Sequence, residues 1–534
     1  MIVKKYPILR NGIIGQNGIG KSTVVQILAN NIKPNFEDFN KKFTDNDIIE
    51  KFKGSEMHKY MTNLYAGSLK VNIKHQHVDK FIGYLKSKNM NPTICEYILS
   101  KSEYDLNSDW YINVINTLEL QSILQSKCQT LSGGELQRLI CAITFLSKGN
   151  VFIFDEPTNF LDIRQRLNVA KLIKELCNNS EDNTNLYIVV IEHDLAILDY
   201  ISDYVSILYG MPSAYGVISK PLNTSNGINI YFDGYIPSEN MKFRQNEFSL
   251  GGLDWCESDI VTNKLTNQES PYEGGNIEFD NFKLTIEDGV YPKEGSITII
   301  MGRNGTGKTT FINYIAKKME LSVAHKPQYL SIGALKDICP DQFKNSDNIY
   351  PTVEEFMFNN VKLYTDPLFK TDVVRPMMIE QIHDRKLNEL SGGEMQRFWI
   401  VYCLGQDAYI YLLDEPSACL DIEQRVITTK VIKRFIVHNK KVAFIVEHDM
   451  MMAVSLGCEQ NSKAIIMEEI ESNQSNRHAI AHKSVSFNDG INKFLKTLDI
   501  TFHTQTHSNA KRPRINKYGS SKDKEQKEKN KYYD

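Results

Sequence analysis

The chain has 534 residues, which is more than one ordinary hydrophobic core supports, so we expect several domains. Its formal net charge of −3 leaves only local basic patches for contacts with nucleic acid. No apolar run approaches the roughly 18–20 residues that a transmembrane helix needs, and the N-terminal residues lack the apolar segment of a signal peptide. Composition therefore predicts a soluble, cytoplasmic protein and excludes a membrane-embedded one.

A glycine-rich loop, GQNGIGKST at Gly15–Thr23, returns as GRNGTGKTT at Gly302–Thr310. Both fit the G-x-x-x-x-G-K-[ST] pattern, in which backbone N–H groups and a following helix N-terminus bind phosphate. A short β-run precedes each loop and a helical pattern follows it. The predicted ATP-binding residues of the loops are Gly15, Asn17, Gly18, Gly20, Lys21, Ser22 and Thr23 in the first copy, and Gly302, Asn304, Gly305, Gly307, Lys308, Thr309 and Thr310 in the second.

Paired carboxylates follow an apolar run in each copy, in VFIFDE at 151–156 and IYLLDE at 410–415. The aspartate suits the Mg²⁺ coordination shell and the glutamate suits polarising an attacking water. A histidine follows a later strand in each copy, in IEHD and VEHD, and is predicted to contact the γ-phosphate. The predicted catalytic residues are Glu156 and His193 in the first copy, and Glu415 and His448 in the second.

A glutamine lies between the phosphate loop and the next motif in each copy, in KHQ and KPQ. Such a glutamine senses both Mg²⁺ and the reacting water, and we predict that it also contributes to ATP binding. The predicted Mg²⁺ ligands are Ser22, Gln76 and Asp155 in the first copy, and Thr309, Gln328 and Asp414 in the second.

The string LSGGE occurs at Leu131–Glu135 and again at Leu390–Glu394. Its serine is predicted to begin a helix whose N-terminus can dock on a γ-phosphate. Because that end lies far from the phosphate loop of the same copy, we expect head-to-tail pairing, in which each signature completes the other copy's site. The additional ATP-binding residues are Ser132, Gly133, Gly134, Ser391, Gly392 and Gly393.

All of these motifs occur twice in the same order, which indicates a duplicated domain. Together they resemble the ATP-binding-cassette (ABC) superfamily, which implies an α/β fold of two tandem P-loop nucleotide-binding domains. The expected division is a first cassette at 1–210 with a helix–turn–helix-like insertion at about 45–70, a hinge at 211–250, a second cassette at 251–475, and a C-terminal hinge with a basic tail at 476–534. The hinge holds two short extended runs and is interpreted as a connector.

Four further segments narrow the resemblance: Tyr209–Arg244, Phe52–Glu56, Gly490–Leu495 and Arg512–Lys517. They resemble the ABCE family of ribosome-recycling ATPases, the RNase L inhibitor family. The resemblance implies residence on the small ribosomal subunit and its rRNA, and ATP-driven splitting of ribosomes with a class-I release factor or a Pelota-like protein. It also implies links to translation initiation and ribosome biogenesis. Since both cassettes lie in one chain, a monomer is expected.

The sequence departs from that family at its beginning. Family members start with a cysteine-rich iron–sulfur domain, whereas the nine cysteines here include no CxxC pair, so we expect no cluster in this chain. The first cassette is expected to lack its opening strand and adenine-stacking aromatic residue, for which Tyr272 is the candidate in the second. We therefore expect ATP-dependent binding of small subunits with poor splitting.

Two alternatives and one ambiguity stay open. An ABCF-type translation ATPase would need a long helical linker between the cassettes, and a reduced ribosome-binding form would lack splitting activity. The tail, Lys511–Asp534, has nine Lys/Arg against four Asp/Glu. It is interpreted either as a solvated, partly disordered end or as an arm that contacts RNA or phosphate.

Overall fold

The structure is a computed structural model that describes residues 8–36, 38, 40–55, 57–76, 78–178, 186–245, 247–248, 268–279, 281–319, 321–328, 330, 333, 335, 350–457, 461–473, 476–507 and 510–534. The chain divides into two compact units, Met1–Phe248 and Ser249–Asp534. No helix within the described residues has both the length and the apolar character needed to cross a membrane.

The first unit contains strands and helices in alternation. Its strands are β1 (Ile8–Ile14), β2 (Val71–Lys74), β3 (Val151–Asp155), β4 (Leu186–Ile191), β5 (Tyr204–Met211), β6 (Tyr215–Ile218), β7 (Leu222–Asn223), β8 (Tyr235–Ile236) and β9 (Met241–Lys242). Its helices are α1 (Lys21–Leu28), α2 (Asp45–Lys51), α3 (Met57–Tyr65), α4 (Asp79–Ser87), α5 (Ile94–Lys101), α6 (Asp109–Thr117), α7 (Gly133–Phe145), α8 (Ile163–Glu175), α9 (Leu195–Ile201) and α10 (Thr224–Asp233).

The sheet of the first unit has the order β2–β3–β4–β1–β5–β6, and β7 also pairs with β5. The strands from β2 to β5 in this order are parallel, whereas β6 and β7 run antiparallel to β5. Every residue of β3 is buried, which explains why its sequence is apolar without alternation. The phosphate loop follows β1 and the acidic pair ends β3, so both lie at the carboxyl edge of the sheet, where open α/β sheets bind ligands.

The second unit repeats this arrangement and adds strands to it. Its strands are β10 (Glu269–Tyr272), β11 (Gly275–Phe279), β12 (Phe282–Ile286), β13 (Gly289–Pro292), β14 (Ser296–Gly302), β15 (Val323–Lys326), β16 (Ile410–Asp414), β17 (Val442–Val446), β18 (Lys463–Asn473), β19 (Asn476–Ala481), β20 (Val485–Ser486), β21 (Phe502–His507) and β22 (Ala510–Ile515). Its helices are α11 (Lys308–Lys318), α12 (Val353–Asn360), α13 (Pro367–Phe369), α14 (Gly392–Leu404), α15 (Ile422–His438), α16 (Met450–Gly457), α17 (Phe487–Leu498) and α18 (Ser521–Glu528).

The large sheet of the second unit has the order β15–β16–β17–β14–β18–β19–β12–β11, with β20 paired to β18. The first six strands of this order correspond one by one to β2–β3–β4–β1–β5–β6 of the first unit. β10 and β13 form a separate antiparallel pair. The duplication in the sequence is therefore a duplication of a strand order, and the P-loop α/β fold predicted for both copies is confirmed.

Two helices, α2 and α3, occupy the segment where the sequence predicts an insertion. Thr44 caps α2 through a reciprocal capping box with Asp47, and Gly54, with a φ of +81°, lies between the helices. Tyr60 of α3 is buried and donates a hydrogen bond to the carbonyl of Leu28 at 2.7 Å. The insertion is therefore anchored on the helix that follows the phosphate loop.

Residues 211–245 contain short strands, β6 to β9, where the sequence indicates extended runs, but they also contain a helix that the sequence does not indicate. They include α10, which packs on β5 and buries Tyr231 and Phe232. A Cβ atom on Gly227 would lie 3.4 Å from Val205 Cβ, so the glycine permits this close approach. Gly and Asn have low helix propensity, which hid the helix from sequence analysis, but tertiary packing outweighs propensity here.

Residues 502–534 form the hairpin of β21 and β22 and the helix α18. Arg512 is only 2% exposed, and its Nη2 donates to Oε1 of Gln505 at 2.9 Å. Buried Asp523 accepts a hydrogen bond from the hydroxyl of Thr501 at 2.6 Å. Because these polar groups need fixed partners once buried, the tail is held in a defined fold. The expectation of a partly disordered end is wrong for the described residues.

Candidate active sites

The first phosphate loop forms a cradle between β1 and α1. Gly18 and Gly20 have φ angles of +76° and +105°, in the region that glycine adopts without steric cost. Lys21 is 8% exposed, and its Nζ donates to the carbonyl oxygens of Gly15 at 2.7 Å and Gln16 at 2.9 Å. The ammonium group is thus held against the loop that is predicted to bind phosphate.

The second loop has the same geometry between β14 and α11. Gly305 and Gly307 have φ angles of +81° and +86°. Lys308 is 7% exposed, and its Nζ donates to the carbonyl oxygens of Gly302 at 3.1 Å and Arg303 at 2.7 Å. The structure therefore brings the predicted phosphate-binding lysine of both copies to equivalent places.

The predicted Mg²⁺ ligands of the second unit lie together. Thr309 Oγ1 donates to Asp414 Oδ2 at 2.7 Å and lies 3.5 Å from Gln328 Oε1. Asp414 is 1% exposed, and its Oδ1 has no hydrogen-bond partner within the described residues. Hydroxyl, carboxylate and amide oxygens are hard ligands of the kind that Mg²⁺ takes, so this set fits the ion. In the first unit Ser22, at the start of α1, occupies the position of Thr309.

The acidic pair of the first unit has two different electrostatic environments. Burial and the charge of Glu156 raise the pKa of Asp155 to about 6. Burial also opposes ionisation of Glu156, but a hydrogen bond from His193 and the charges of His193, Lys21 and Lys74 outweigh it and lower the pKa of Glu156 to about 2. His193 Nε2 lies 3.3 Å from Glu156 Oε1. Glu156 is therefore ionised at neutral pH, and its negative charge can orient a water.

The second unit repeats this contact pattern. His448 Nε2 lies 3.6 Å from Glu415 Oε1, and Gln328 Nε2 donates to the same oxygen at 2.8 Å. In the first unit Gln76 Nε2 donates to Glu156 Oε1 at 2.7 Å. The structure thus brings each predicted catalytic glutamate together with the glutamine and the histidine of its own copy.

Both glutamates have a left-handed backbone. The φ angle is +48° at Glu156 and +48° at Glu415. Such a conformation costs a residue other than glycine about 1–3 kcal/mol and persists only where the surroundings enforce it. Strain of this kind clusters at active sites, which agrees with the catalytic role that the sequence predicts for the two glutamates.

The histidine loops are fixed by glutamates that sequence analysis did not single out. Buried Glu192 accepts hydrogen bonds from the backbone N–H of Thr158 at 2.9 Å and from its hydroxyl at 2.7 Å. Glu447 accepts the hydroxyl of Ser417 at 2.6 Å, and burial raises the pKa of Glu447 to about 7. These two glutamates could have been found from the sequence, because a glutamate precedes the histidine in both IEHD and VEHD.

Each signature serine is the N-cap of a helix, as predicted from the sequence. Ser132 begins α7 and Ser391 begins α14, and each shares a capping box with the glutamate three residues later. Both serines are exposed. Each unit therefore presents an open helix N-terminus, which is a favourable site for an anion.

Tyr272, which the spacing predicts to contact adenine, lies in the hydrophobic core. Tyr272 is 5% exposed in the hydrophobic core, with its ring centroid 6.2 Å from that of Phe311. Phe282 lies beside the phosphate loop instead, because a Cβ atom on Gly307 would lie 2.8 Å from its ring. Phe279 is 59% exposed and stacks on Phe282 at 6.5 Å. The two rings, both in the string FDNF, are therefore aromatic side chains that lie next to the second phosphate loop.

Two α/β units, each with a P-loop, an acidic pair, a histidine and a signature helix, define an ABC-type ATPase. The ABC transporter family matches residues 7–159 and 287–418. The chain is 39% identical over 533 residues to translation initiation factor RLI1 of Saccharomyces cerevisiae, across 98% of this chain and 81% of the relative.

Solved structures agree with this relationship. The archaeal ribosome recycling factor aABCE1, crystallised with the ribosomal stalk protein aP1, has a TM-score of 0.83 and 34% identity, covering 100% of this chain and 96% of that chain. A structure of ribosome-bound archaeal Pelota and ABCE1 has a TM-score of 0.82 and 35% identity, covering 100% of this chain and 84% of that chain. The chain belongs to the ABCE family of ABC ATPases, the family of RLI1. This membership decides against the ABCF-type alternative.

Proposed function

We propose that this ATPase is an ABCE-type translation factor that binds the small ribosomal subunit and uses ATP in ribosome recycling. The observation that carries the proposal is that both units hold a complete set of nucleotide-binding and catalytic side chains. The names of similar proteins support the biological setting: one is a translation initiation factor, one is a ribosome recycling factor bound to a stalk protein, and one accompanies ribosome-bound Pelota.

In this proposal the two phosphate loops bind the phosphates of ATP, and Lys21 and Lys308 neutralise the β- and γ-phosphates. Ser22, Gln76 and Asp155, and their counterparts Thr309, Gln328 and Asp414, would hold Mg²⁺. When bound, Mg²⁺ would neutralise charge on the phosphate oxygens. The exposed N-termini at Ser132 and Ser391 offer backbone N–H groups to a γ-phosphate.

Glu156 and Glu415 act on the attacking water. The low pKa of Glu156 keeps its carboxylate ionised at neutral pH, so it can orient and polarise the water. The Nε2 atoms of His193 and His448 lie 3.3 Å and 3.6 Å from these carboxylates, and in this proposal the two histidines contact the γ-phosphate. Gln76 and Gln328 donate hydrogen bonds to the same carboxylates, and Gln328 also accepts one from the hydroxyl of Thr309 at 3.5 Å.

A basic surface in the C-terminal part of the second unit supports an RNA partner. Lys493, Lys496 and Lys531 line a cavity of about 380 Å³ beside α17, together with Asp489, Asn492 and Asn530. Lys531 pairs with Asp534 at 2.6 Å and Lys493 lies 3.7 Å from Glu468, so Lys496 is the lysine of this set that makes no ion pair within the described residues. Arg512 is excluded from such contacts by burial, Arg514 is partly buried, and the side chain of Lys511 lies outside the described residues. Lys517, which the sequence also offers for such a contact, is exposed. The phosphate contacts that we propose are therefore made by Lys517 and by the lysines along α17 and the chain end.

Replacing Lys493, Lys496 and Lys531 with alanine is expected to weaken binding to small subunits and to reduce its dependence on salt. The slope of log K against log salt should become shallower by about 0.7–0.9 for each phosphate contact that is lost. Lys440→Ala is the control, because this exposed lysine of the same unit pairs only loosely with Glu294 at 3.8 Å. Co-sedimentation with purified small subunits over a salt series measures the effect. An unchanged slope in the triple variant would place the RNA contact elsewhere.

The function itself is tested with whole ribosomes, a release factor and a non-hydrolysable ATP analogue on sucrose gradients. Nucleotide-dependent migration with small subunits is the expected result, and accelerated appearance of free subunits with ATP would establish recycling by this chain. Binding without acceleration would support the reduced ribosome-binding form. Failure to bind small subunits at low salt would contradict the proposal.

The absence of an iron–sulfur cluster stays a prediction. Cys128 and Cys141, the two cysteines that are closest in the sequence, are both buried. Cys256, Cys339 and Cys458 lie outside the described residues. Anaerobically purified protein is expected to show neither visible thiolate–iron absorbance nor stoichiometric iron, and finding both would overturn the prediction.

A further inference from the structure

We propose that Lys74 and Lys326 are positioning residues that hold the catalytic glutamates in their left-handed backbone conformation. The proposal rests on the proposed role of Glu156 and Glu415 as the groups that activate water. The two lysines belong to equivalent strands, β2 and β15, and each is the last residue of its strand. Sequence analysis assigned them no role.

The lysine of the first unit donates hydrogen bonds to both peptide groups that flank the proposed catalytic glutamate. Lys74 Nζ donates to the carbonyl oxygen of Asp155 at 2.9 Å and to that of Glu156 at 2.8 Å. These oxygens belong to the two peptide planes whose relative rotation defines φ and ψ of Glu156. One ammonium group bonded to both planes therefore fixes that rotation at the strained value of +48°.

The second unit shows the same arrangement independently. Lys326 Nζ donates to the carbonyl oxygen of Asp414 at 2.6 Å and to that of Glu415 at 3.2 Å. The φ of Glu415 is again +48°. In each unit, the lysine makes the same pair of hydrogen bonds to the strained turn. We interpret this shared contact as the feature that holds the turn in its conformation.

A glutamine that follows each lysine contacts the carboxylate of the same glutamate. Gln76 follows Lys74 by two residues and donates to the carboxylate of Glu156 at 2.7 Å. Gln328 stands in the same relation to Lys326 and donates to Glu415 at 2.8 Å. The main chain and the side chain of each glutamate are thus fixed from one short piece of chain, so displacement of the lysine would displace the carboxylate as well.

The burial of the lysines argues for a specific purpose. Lys74 and Lys326 are both 0% exposed. Burying an ammonium group is expensive unless hydrogen bonds compensate, and an apolar side chain would be cheaper at this place in a core strand. Gln137 also donates to the carbonyl of Glu156, at 2.9 Å, and the N–H of Glu156 donates to the carbonyl of Ile191 at 2.9 Å. Among the hydrogen bonds of the described residues, those of Lys74 join the two peptide groups through one side-chain atom.

The test replaces each lysine with methionine in the full chain, because methionine keeps an unbranched side chain only one heavy atom shorter and removes the donors. Lys74→Met is measured in a chain that carries Glu415→Gln, so that hydrolysis reports the first site, and Lys326→Met is measured with Glu156→Gln. A misplaced catalytic group costs on the order of 10²-fold in rate, so we expect kcat to fall by about 10- to 100-fold. Affinity for a non-hydrolysable ATP analogue is expected to stay unchanged.

Lys70→Met is the matched control, because Lys70 lies just before β2 and pairs at the surface with Glu103 at 2.6 Å. It is expected to leave kcat unchanged. Adding Glu156→Gln to Lys74→Met should cause no loss beyond that of Glu156→Gln alone, because the lysine acts through this glutamate. A general folding defect would instead lower nucleotide affinity together with kcat and would overturn the proposal.

Wild-type kcat in both methionine variants would also overturn it, as would losses that add fully to those of the glutamate variants. These outcomes are distinguishable from failure of the proposed function. If Glu156→Gln and Glu415→Gln did not slow hydrolysis by themselves, the role of the glutamates would be wrong. If they did and the lysine variants did not, only the positioning role would be wrong.

Discussion

A chain that carries both Glu156→Gln and Glu415→Gln is expected to hydrolyse ATP about 10²–10⁴-fold more slowly than the wild-type chain, which is the usual cost of losing general-base assistance. Glutamine keeps the size of the side chain and can still bond to the neighbouring amide and imidazole groups. It has no negative charge with which to polarise a water. Nucleotide affinity should therefore survive, since the loops and their lysines are unchanged.

Steady-state phosphate release measures the rate, and binding of a labelled non-hydrolysable analogue measures the affinity. Glu103→Gln is the control, because this carboxylate makes a surface ion pair with Lys70. Each single variant should retain hydrolysis at the intact site. Wild-type turnover in the double variant would show that other groups activate the water.

Lys21→Met and Lys308→Met are expected to weaken ATP binding at their own sites by about 10- to 100-fold each, because one charge-assisted hydrogen bond contributes about 1.5–3 kcal/mol. In the structure each ammonium group donates to two carbonyl oxygens of its loop. Methionine would remove the positive charge that attracts the phosphates. It would also leave the loop carbonyl oxygens, which repel phosphate, without their hydrogen-bond donor. The double variant should then lose most of its nucleotide binding at micromolar ATP.

Lys171→Met is the comparison, since Lys171 is an exposed residue of α8 that lies 3.8 Å from Glu175. Titration with a fluorescent ATP analogue in the presence of Mg²⁺ separates the single and double variants. Retained affinity in the double variant would mean that the loops bind phosphate through backbone N–H groups alone.

The motif residues could be predicted from the sequence because their chemistry leaves few choices. A phosphate loop needs glycines at fixed places, and an acidic pair needs a strand in front of it. Short strings such as GQNGIGKST and VFIFDE therefore specify both local structure and contacts. The repetition of the strings also predicted that one strand order would occur twice, as it does.

Residues whose role depends on tertiary contacts could not be assigned in the same way. The spacing of Tyr272 from the phosphate loop fits an adenine contact, yet spacing does not show that its ring packs on Phe311 in the core. Arg512 looks like a phosphate ligand in a basic string, but the hairpin buries it. The helix α10 is built from weak helix formers and depends on its contact with β5.

The left-handed turn at each proposed catalytic glutamate lowers the stability of the fold, whereas the carboxylate at that position is needed for activity. Glycine or asparagine adopts a φ of +48° more readily than glutamate does, so either residue would relieve strain at these positions while removing the carboxylate. Selection for heat resistance alone would then enrich variants that lack Glu156 or Glu415. A thermostable form of this enzyme is therefore better sought by screening with turnover as a second criterion.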